Sequence, residues 1–378
     1  MKRIGFSGTL DPITNGHMWV IGEARAQADE VIVLISENPA KAPQFPADER
    51  KRIVEESLAA VGWDNVSVIV VRGDYTARAA KRLGIDYLIR GIRNTSDFDY
   101  ENLIQQVNVD VLRGAKTIFV MPPRDLGSVS SSFVRGLQGP VGWHWSTSQF
   151  MPAPAYRAWI LDWLRREWDA LWGNQRGAET DRYFDLLTGP QGYGAPGRAY
   201  HNLDHLVHGL TEIRVWAANN GGADTDRDML KKAFWFHDAV QGHGSENEEL
   251  SAQLWLESGL GGDIALDVAE LIRATAHGRD VSAGHRLADV MVGADLAILG
   301  QPDEIYTRYA STVRAEYAHI AATAYRAGRA QVLRHFLDLP ALFENAYFAE
   351  LYDSQAKANL AHELTGLISA PLVSPLDV

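Results

Sequence analysis

Near the N-terminus an apolar run ends in Gly5-Phe6-Ser7-Gly8-Thr9-Leu10-Asp11-Pro12-Ile13-Thr14-Asn15-Gly16-His17. Backbone N–H groups of such a turn, together with the start of a following helix, form an anion site. Gly8 and Gly16 let a phosphate approach the backbone, and the histidine falls in the first helical turn. The plainer reading is an ordinary strand-to-helix turn with a capping residue. A second set of residues lies far downstream: His201 and His205 within Arg198-Ala199-Tyr200-His201-Asn202-Leu203-Asp204-His205, the adjacent pair His237-Asp238, and Asp289 and Asp295. Neutral imidazoles and carboxylates suit a borderline divalent ion such as Mn2+, Fe2+, Ni2+ or Zn2+. His201 and His205 are one turn apart if a single helix covers both. Singly, each of these residues reads equally well as a packed or solvated helix side chain.

The elements that position these residues follow two patterns. Short β-branched runs at Arg3–Ser7, Val31–Ser36, Val66–Val71, Tyr87–Arg90 and Thr117–Met121 alternate with helical periods near 16–27, 48–60, 76–83 and 98–112. Regular βα alternation predicts an α/β, Rossmann-like domain with a parallel sheet covered by helices. Ligands of such sheets bind beyond the carboxyl ends of the strands, where the Gly/Thr string falls. The uncharged stretch 139–154, with three prolines and two glycines near Trp143-His144-Trp145, reads as an inter-domain connection. Beyond it the periods are helical, over 155–172, 203–218, 226–240, 246–258, 263–277, 285–299, 303–327 and 329–338, which predicts an all-α domain. The expected domains are 1–148 and 149–378. Trp159, Trp163 and Trp168 read as core or domain-interface residues.

Composition narrows the function classes. The chain has 378 residues, a net charge of −12 and no cysteine, which excludes disulfides, thiolate catalysis and Cys-ligated zinc. Residues 1–150 carry 17 basic and 17 acidic side chains, so the whole negative excess lies in the second half, as do 10 of the 12 histidines. Neither half has the basic excess of a nucleic-acid binder. No apolar run is long enough to span a bilayer, and the first residues lack a signal-peptide core. A cytoplasmic protein with no membrane and no nucleic-acid partner is expected.

The N-terminal string resembles the GTFDPITNGH signature of phosphopantetheine adenylyltransferases, within the nucleotidyltransferase superfamily. The resemblance continues through Asn38-Pro39-Ala40-Lys41, Arg90-Gly91-Ile92-Arg93, Asp97-Phe98-Asp99-Tyr100-Glu101 and Val129-Ser130-Ser131-Ser132. It implies adenylyl transfer from ATP, with Mg2+, to 4′-phosphopantetheine, giving dephospho-CoA and pyrophosphate, and an oligomer formed through this domain. A phosphate monoester is already an anionic nucleophile, so catalysis reduces to positioning and charge stabilisation. On that resemblance Lys41 and Arg90 hold the incoming phosphate, and His17 and Thr9 stabilise the transition state. Arg93 and Ser130, Ser131 and Ser132 hold the β- and γ-phosphates, Gly8 and Gly16 admit them, and Glu101 contacts the nucleotide. Ser7 and Leu10 stand where the family usually has Pro and Phe. Gly73-Asp74-Tyr75-Thr76-Ala77-Arg78 replaces an apolar stretch lining the pantetheine arm. A different phosphorylated acceptor, such as a nicotinamide nucleotide, is the alternative.

The ordered set of histidines and aspartates downstream resembles the HD superfamily of metal-dependent phosphohydrolases, over roughly 155–368. YHNLDH, at Tyr200–His205, also resembles the YHNxxH signature of helical cyclic-nucleotide phosphodiesterases. The resemblance implies a metal site of His205, His237, Asp238 and Asp295, holding Mn, Fe, Ni, Zn or Mg. It also implies His201 as the acid protonating the leaving oxygen; the reverse assignment, with His201 as ligand, is the alternative. His277 is a further candidate for a second metal or a substrate phosphate, Glu248 for activating water, and Arg326 and Arg329 for holding phosphate. The substrate is an unspecified phosphorylated compound. A non-catalytic nucleotide-binding module is the competing reading of this half.

Overall fold

The computed structural model describes residues 1–37, 42–112, 114–276 and 284–369. It divides into two compact units, Met1–Asp162 and Trp163–Val378.

The first unit runs β1 (Arg3–Gly8), α1 (Asn15–Arg25), β2 (Glu30–Ser36), α2 (Ala47–Ala60), β3 (Val66–Val71), α3 (Thr76–Arg82), β4 (Tyr87–Gly91), α4 (Thr95–Gln106), β5 (Lys116–Val120), α5 (Ser131–Gly136) and α6 (Trp143–Ser148). The five strands form one parallel sheet in the order β3-β2-β1-β4-β5. Both faces are covered, so β2 is an unbroken apolar run: Val31 to Ile35 are all buried. The chain builds outward from β1 to β3 on one side, then returns to place β4 against the other side of β1. The switch point therefore lies between β1 and β4, and a crevice opens at their carboxyl ends. Gly8 ends β1 there, and Arg90 and Gly91 end β4. α4 passes into a π-helical turn at Val107–Val111. It buries none of its residues, leaving Phe98, Tyr100 and Leu103 exposed.

The stretch 139–154 is not an open connection. α6 lies within it, Trp143, His144 and Trp145 are buried, and the Asn15 N–H donates to the Phe150 carbonyl at 2.8 Å. The Pro and Gly punctuation is real, but Trp143, His144, Trp145, Thr147 and Met151 between them are buried. The division between units falls within α7 (Ala153–Trp172).

The second unit continues with α8 (Ala178–Thr188), α9 (Leu203–Asn220), α10 (Asp224–Phe236), α11 (Asn247–Glu257), α12 (Ala265–Ala274), α13 (Ala288–Leu296), α14 (Asp303–Glu316), α15 (Ala322–Asp338) and α16 (Ala346–Ser369). Its described residues include no strand. The expected single helix over 303–327 is two helices. α14 stops at Glu316, and Arg314 holds the turn by donating to the carbonyls of Tyr317 and Ile320 at 2.6 and 3.3 Å. No Gly or Pro marks this break. α8 and α16 were not expected, and both are regular helices. Trp168 packs edge-on against Trp235, with centroids 4.8 Å apart, in a core shared with Phe184.

α9 and α10 carry the histidines of interest and approach closely at Gly209. A Cβ there would lie 1.9 Å from the fully buried Phe234 ring. Overpacking by one methyl typically costs about 1–3 kcal/mol. Gly209→Ala should therefore lower the unfolding temperature of the second unit, measured by calorimetry. An unchanged transition would show that the two helices are not packed as described.

Candidate functional sites

In the first unit the turn after β1 is held from below by buried charge. The Asp11 carboxylate, 3 % exposed, accepts from the backbone N–H groups of Gln44 and Phe45 at 2.7 and 3.0 Å. Arg50, 2 % exposed, donates to the carbonyls of Phe45, Thr9 and Ser36. Arg135 donates to the Asp11 carbonyl. Leu10 takes a left-handed backbone conformation, φ 51°. Gly16 has a steric reason to be glycine, since a Cβ would lie 2.7 Å from the Val129 carbonyl oxygen.

Above this base lies a cavity of about 180 Å3 lined by Gly8, Gly16, His17, Arg90, Arg93, Glu101 and Ser130, among others. The Thr14 N–H donates to His17 Nδ1 at 3.0 Å, and the Thr14 hydroxyl lies at the same distance. Burial, reinforced by the Arg93 guanidinium, lowers the His17 pKa to about 4. The ring is therefore neutral with its proton on Nε2, a donor for an oxyanion. Arg90 donates to the Ser7 carbonyl and pairs with Glu101 at 3.2 Å. Arg93 pairs with Asp97 at 2.7 Å. Ser130 caps α5 by accepting from the Phe133 N–H at 3.2 Å, and Ser131 donates to the Pro12 carbonyl at 2.7 Å. Ser132 accepts from Arg135 at 3.1 Å. Lys41 lies outside the described residues.

In the second unit α9, the C-terminus of α10 and the last turn of α13 bring four side chains together. His205 Nε2 and His237 Nε2 are 3.0 Å apart. Asp238 Oδ2 lies 3.5 and 3.2 Å from them, and Asp295 Oδ1 lies 3.4 Å from each. His205, His237 and Asp238 place one ligand atom each within 4.8 Å of one another. His237 Nδ1 lies 2.9 Å from the Phe234 carbonyl, the partner that leaves Nε2 free for a metal. Burial opposes charge on both histidines. Together with His237 it lowers His205 to about 4, whereas the Asp238 and Asp295 carboxylates outweigh burial and raise His237.

His201 stands beside this cluster. Its Nδ1 is 2.8 Å from Glu316 Oε2, and its Nε2 is 3.8 Å from Asp238 Oδ2. Glu316 Oε1 also accepts from the backbone N–H groups of Tyr200 and His201, both at 2.9 Å. Burial disfavours the imidazolium, but Asp238 and Glu316 outweigh it and raise the His201 pKa. The turn carrying Asp238 is fixed separately: Tyr193 Oη accepts from the Asp238 N–H at 3.1 Å, and Arg198 donates to the carbonyls of Asp238 and Ala239 at 2.6 and 2.8 Å.

Residues 6–137 match the cytidylyltransferase-like family model. The chain is 40 % identical over 157 residues to the phosphopantetheine adenylyltransferase of Chromobacterium violaceum, covering 42 % of this chain and 94 % of that protein. It is 34 % identical over 155 residues to the enzyme of that name from Neisseria meningitidis serogroup C, covering 41 % and 90 %. Against that of Histophilus somni strain 2336 it is 38 % identical over 161 residues, covering 42 % and 96 %. Through its N-terminal unit this chain belongs to the phosphopantetheine adenylyltransferase family.

Of the residues the resemblance singled out, Gly8, Gly16, His17, Arg90, Arg93, Glu101 and Ser130 line one cavity, whereas Thr9, Ser131 and Ser132 are not among its lining residues. Arg50 and Arg135, which hold the turn, lie outside the quoted motifs, because such an arginine looks like any other helix charge; Asp11 lies within the Gly8–His17 string but was given no role there. In the second unit His205, His237, Asp238 and Asp295 converge, with His201 beside them. Asp289 does not join them; it accepts from Asn345 at 2.9 Å. Glu248 sits in the first turn of α11 outside the cluster. Arg329 is paired with Glu363 at 2.8 Å, and Arg326 donates to the Leu367 carbonyl. His277 lies outside the described residues. Glu316, Tyr193 and Arg198 were not singled out, because the first comes from a helix over a hundred residues away and the others serve backbone atoms.

A neutral His17 with an Nε2 proton is directly observable. Nitrogen-15 NMR should show that tautomer unchanged from pH 8 to about pH 5. A titration midpoint near 6.5 would contradict the buried, Thr14-bonded ring.

Proposed function

We propose that the chain is a bifunctional enzyme whose first unit transfers AMP from ATP to 4′-phosphopantetheine and whose second unit is an HD-type phosphoester hydrolase. The expected domains, 1–148 and 149–378, are kept as the functional division.

For the transfer, the observation that carries the reading is the cavity at the switch point, with His17 and Arg90 at the ends of adjacent elements. An acceptor phosphate oxygen attacks the α-phosphorus, the bond to the β-phosphate oxygen breaks, and pyrophosphate leaves. The His17 Nε2–H donates to the oxygen that gains charge, and the Thr9 side chain is assigned the same task. Arg90 and, by family resemblance, Lys41 hold the acceptor. Arg93 and the Ser130–Ser132 helix start hold the leaving pyrophosphate. Mg2+ bound with ATP supplies charge neutralisation on the triphosphate. His17→Ala should lower kcat by about 10²–10³, the usual effect of losing an oxyanion donor, with little change in ATP binding. Pyrophosphate release measures it, and undiminished turnover contradicts the role.

A second acceptor remains in play for one reason. The turn after β3 is polar: Asp74 accepts from the Tyr75 N–H at 2.8 Å and pairs with Arg82, and Tyr75 is 62 % exposed. If 4′-phosphopantetheine gives no product while a nicotinamide nucleotide does, the acceptor is the latter. Self-association of this unit is also proposed, supported by the exposed apolar face of α4.

For the hydrolase, the supporting observation is the donor set. The ligand atoms of His205, His237 and Asp238 lie 3.0–3.5 Å apart, separations that suit donors around one ion, and Asp295 Oδ1 lies 3.4 Å from both histidines. His205, His237, Asp238 and Asp295 would hold it. A divalent ion (Mn, Fe, Ni, Zn or Mg) supplies Lewis acidity and lowers the pKa of water. His201, whose Nδ1 is held by Glu316 at 2.8 Å, would give a proton to the leaving oxygen. The protein's part is otherwise positional: Tyr193 and Arg198 fix the backbone beneath Asp238. Asp238→Ala should abolish both bound metal and hydrolysis. His201→Ala should keep the metal while turnover falls by about 10²–10⁴, the contribution of a general acid. Elemental analysis with a phosphoesterase assay decides. Metal lost from His201→Ala but kept in His205→Ala would reverse the two assignments. Bound metal with no hydrolysis of any phosphoester would favour the nucleotide-binding module.

A further inference from the structure

A cavity of about 930 Å3 in the second unit opens directly beside the histidine–aspartate cluster, with Tyr200, His201 and Asp295 in its wall. The rest of the wall is contributed mainly by α14, α15 and the turn after α13. It is aliphatic and aromatic: Leu299, Val313, Ile320, Tyr309, Tyr325 and Phe336 are representative. Tyr200 and Tyr309 meet edge-on, with centroids 4.7 Å apart, at the junction of cavity and cluster. Such a volume is far larger than a single phosphate needs and falls in the range of small-molecule sites.

The charges at this wall are as informative as the apolar surface. The guanidinium of Arg329 is bound to both oxygens of Glu363 at 2.8 and 2.9 Å and lies over the Tyr309 ring. That pair is deeply buried, so Arg329 is already neutralised. Residues 151–378 as a whole carry the net charge of −12. A ligand bringing a chain of phosphates into this cavity would meet no array of free cations among the described wall residues. A ligand with one phosphate at the cluster and an uncharged, apolar body would bury that body against matching surface.

We propose that the second unit acts on phosphate monoesters with a large apolar body, aliphatic or aromatic, and disfavours polyphosphates and small sugar phosphates. This deepens the hydrolase reading and rests on it. In the reaction an oxygen of water forms the new bond to phosphorus, the bond from phosphorus to the ester oxygen breaks, and the proton on His201 goes to that oxygen. The products are inorganic phosphate and an apolar alcohol or phenol.

The test uses the full-length chain loaded with Mn2+ and esters paired for leaving-group chemistry. Decyl phosphate is compared with ethyl phosphate, and 2-naphthyl phosphate with phenyl phosphate. The larger member of at least one pair should have a kcat/KM about tenfold or more above its partner, and which pair responds tells an aliphatic from an aromatic body. Gly328 lines the cavity on α15, and a Cβ there meets nothing within 4 Å. Gly328→Trp should fold, fill the cavity and erase that advantage. Equal kcat/KM within both pairs, or faster turnover of ribose 5-phosphate or ADP, overturns the proposal. Loss of turnover with every ester, together with calorimetric binding of decyl phosphate that Gly328→Trp removes, upholds the cavity's ligand class and sinks the hydrolase reading alone. Neither turnover nor binding of the large esters overturns the proposal itself.

Discussion

Lone pairs crowd one another at the centre of the second unit. Two imidazole nitrogens face each other at 3.0 Å, and two carboxylate oxygens stand 3.2–3.5 Å from them. Both histidines are buried, so water cannot dilute the repulsion between like acceptors. Burial and the neighbouring His237 lower His205, whereas the Asp238 and Asp295 carboxylates raise His237. A divalent ion would relieve all of these contacts together. The surroundings are built to keep the crowding in place. α9 and α10 touch through Gly209 with no room for a methyl, and Tyr193 and Arg198 tie down the backbone at Asp238. Glu316 reaches in from the end of α14 to hold His201 against the cluster.

The first unit solves a different electrostatic problem with the backbone. A turn at the sheet switch point brings Gly8 and Gly16 to the same cavity as the side chains of His17, Arg90 and Arg93. That turn must stay rigid to be useful. Asp11 and Arg50, both almost fully buried, satisfy N–H and carbonyl groups that a loop over a sheet edge would otherwise leave unpaired. The charged groups that meet solvent, Arg90 and Arg93, are each held by a neighbouring carboxylate, Glu101 and Asp97. They are thereby positioned in advance of a ligand.

The strands of the first unit were legible because sheets buried on both faces need unbroken β-branched runs, and β2 and β3 fall where those runs lie. Gly8, Gly16 and His17, which line one cavity, stood out in the sequence because they sit in one contiguous string. Where contacts are long in sequence, legibility failed. Glu316 and His201 are 115 residues apart, and nothing local marks Glu316 as a site residue. The break after α14 was hidden because it depends on Arg314 reaching two carbonyls, not on Gly or Pro. Trp143 and Trp145 were read as connection because Pro and Gly flank them, while their burial is a tertiary fact. α16 went unseen through its weak amphipathic pattern, although Phe348 and Leu360 are fully buried.

The central claim is that one cation belongs among His205, His237, Asp238 and Asp295. The most direct measurement is anomalous diffraction from a crystal of the full-length chain soaked in Mn2+. The account predicts a single strong peak about 2.1–2.3 Å from both Nε2 atoms and from oxygens of both aspartates. A map with no peak there, while the four side chains stay together as described, would contradict it.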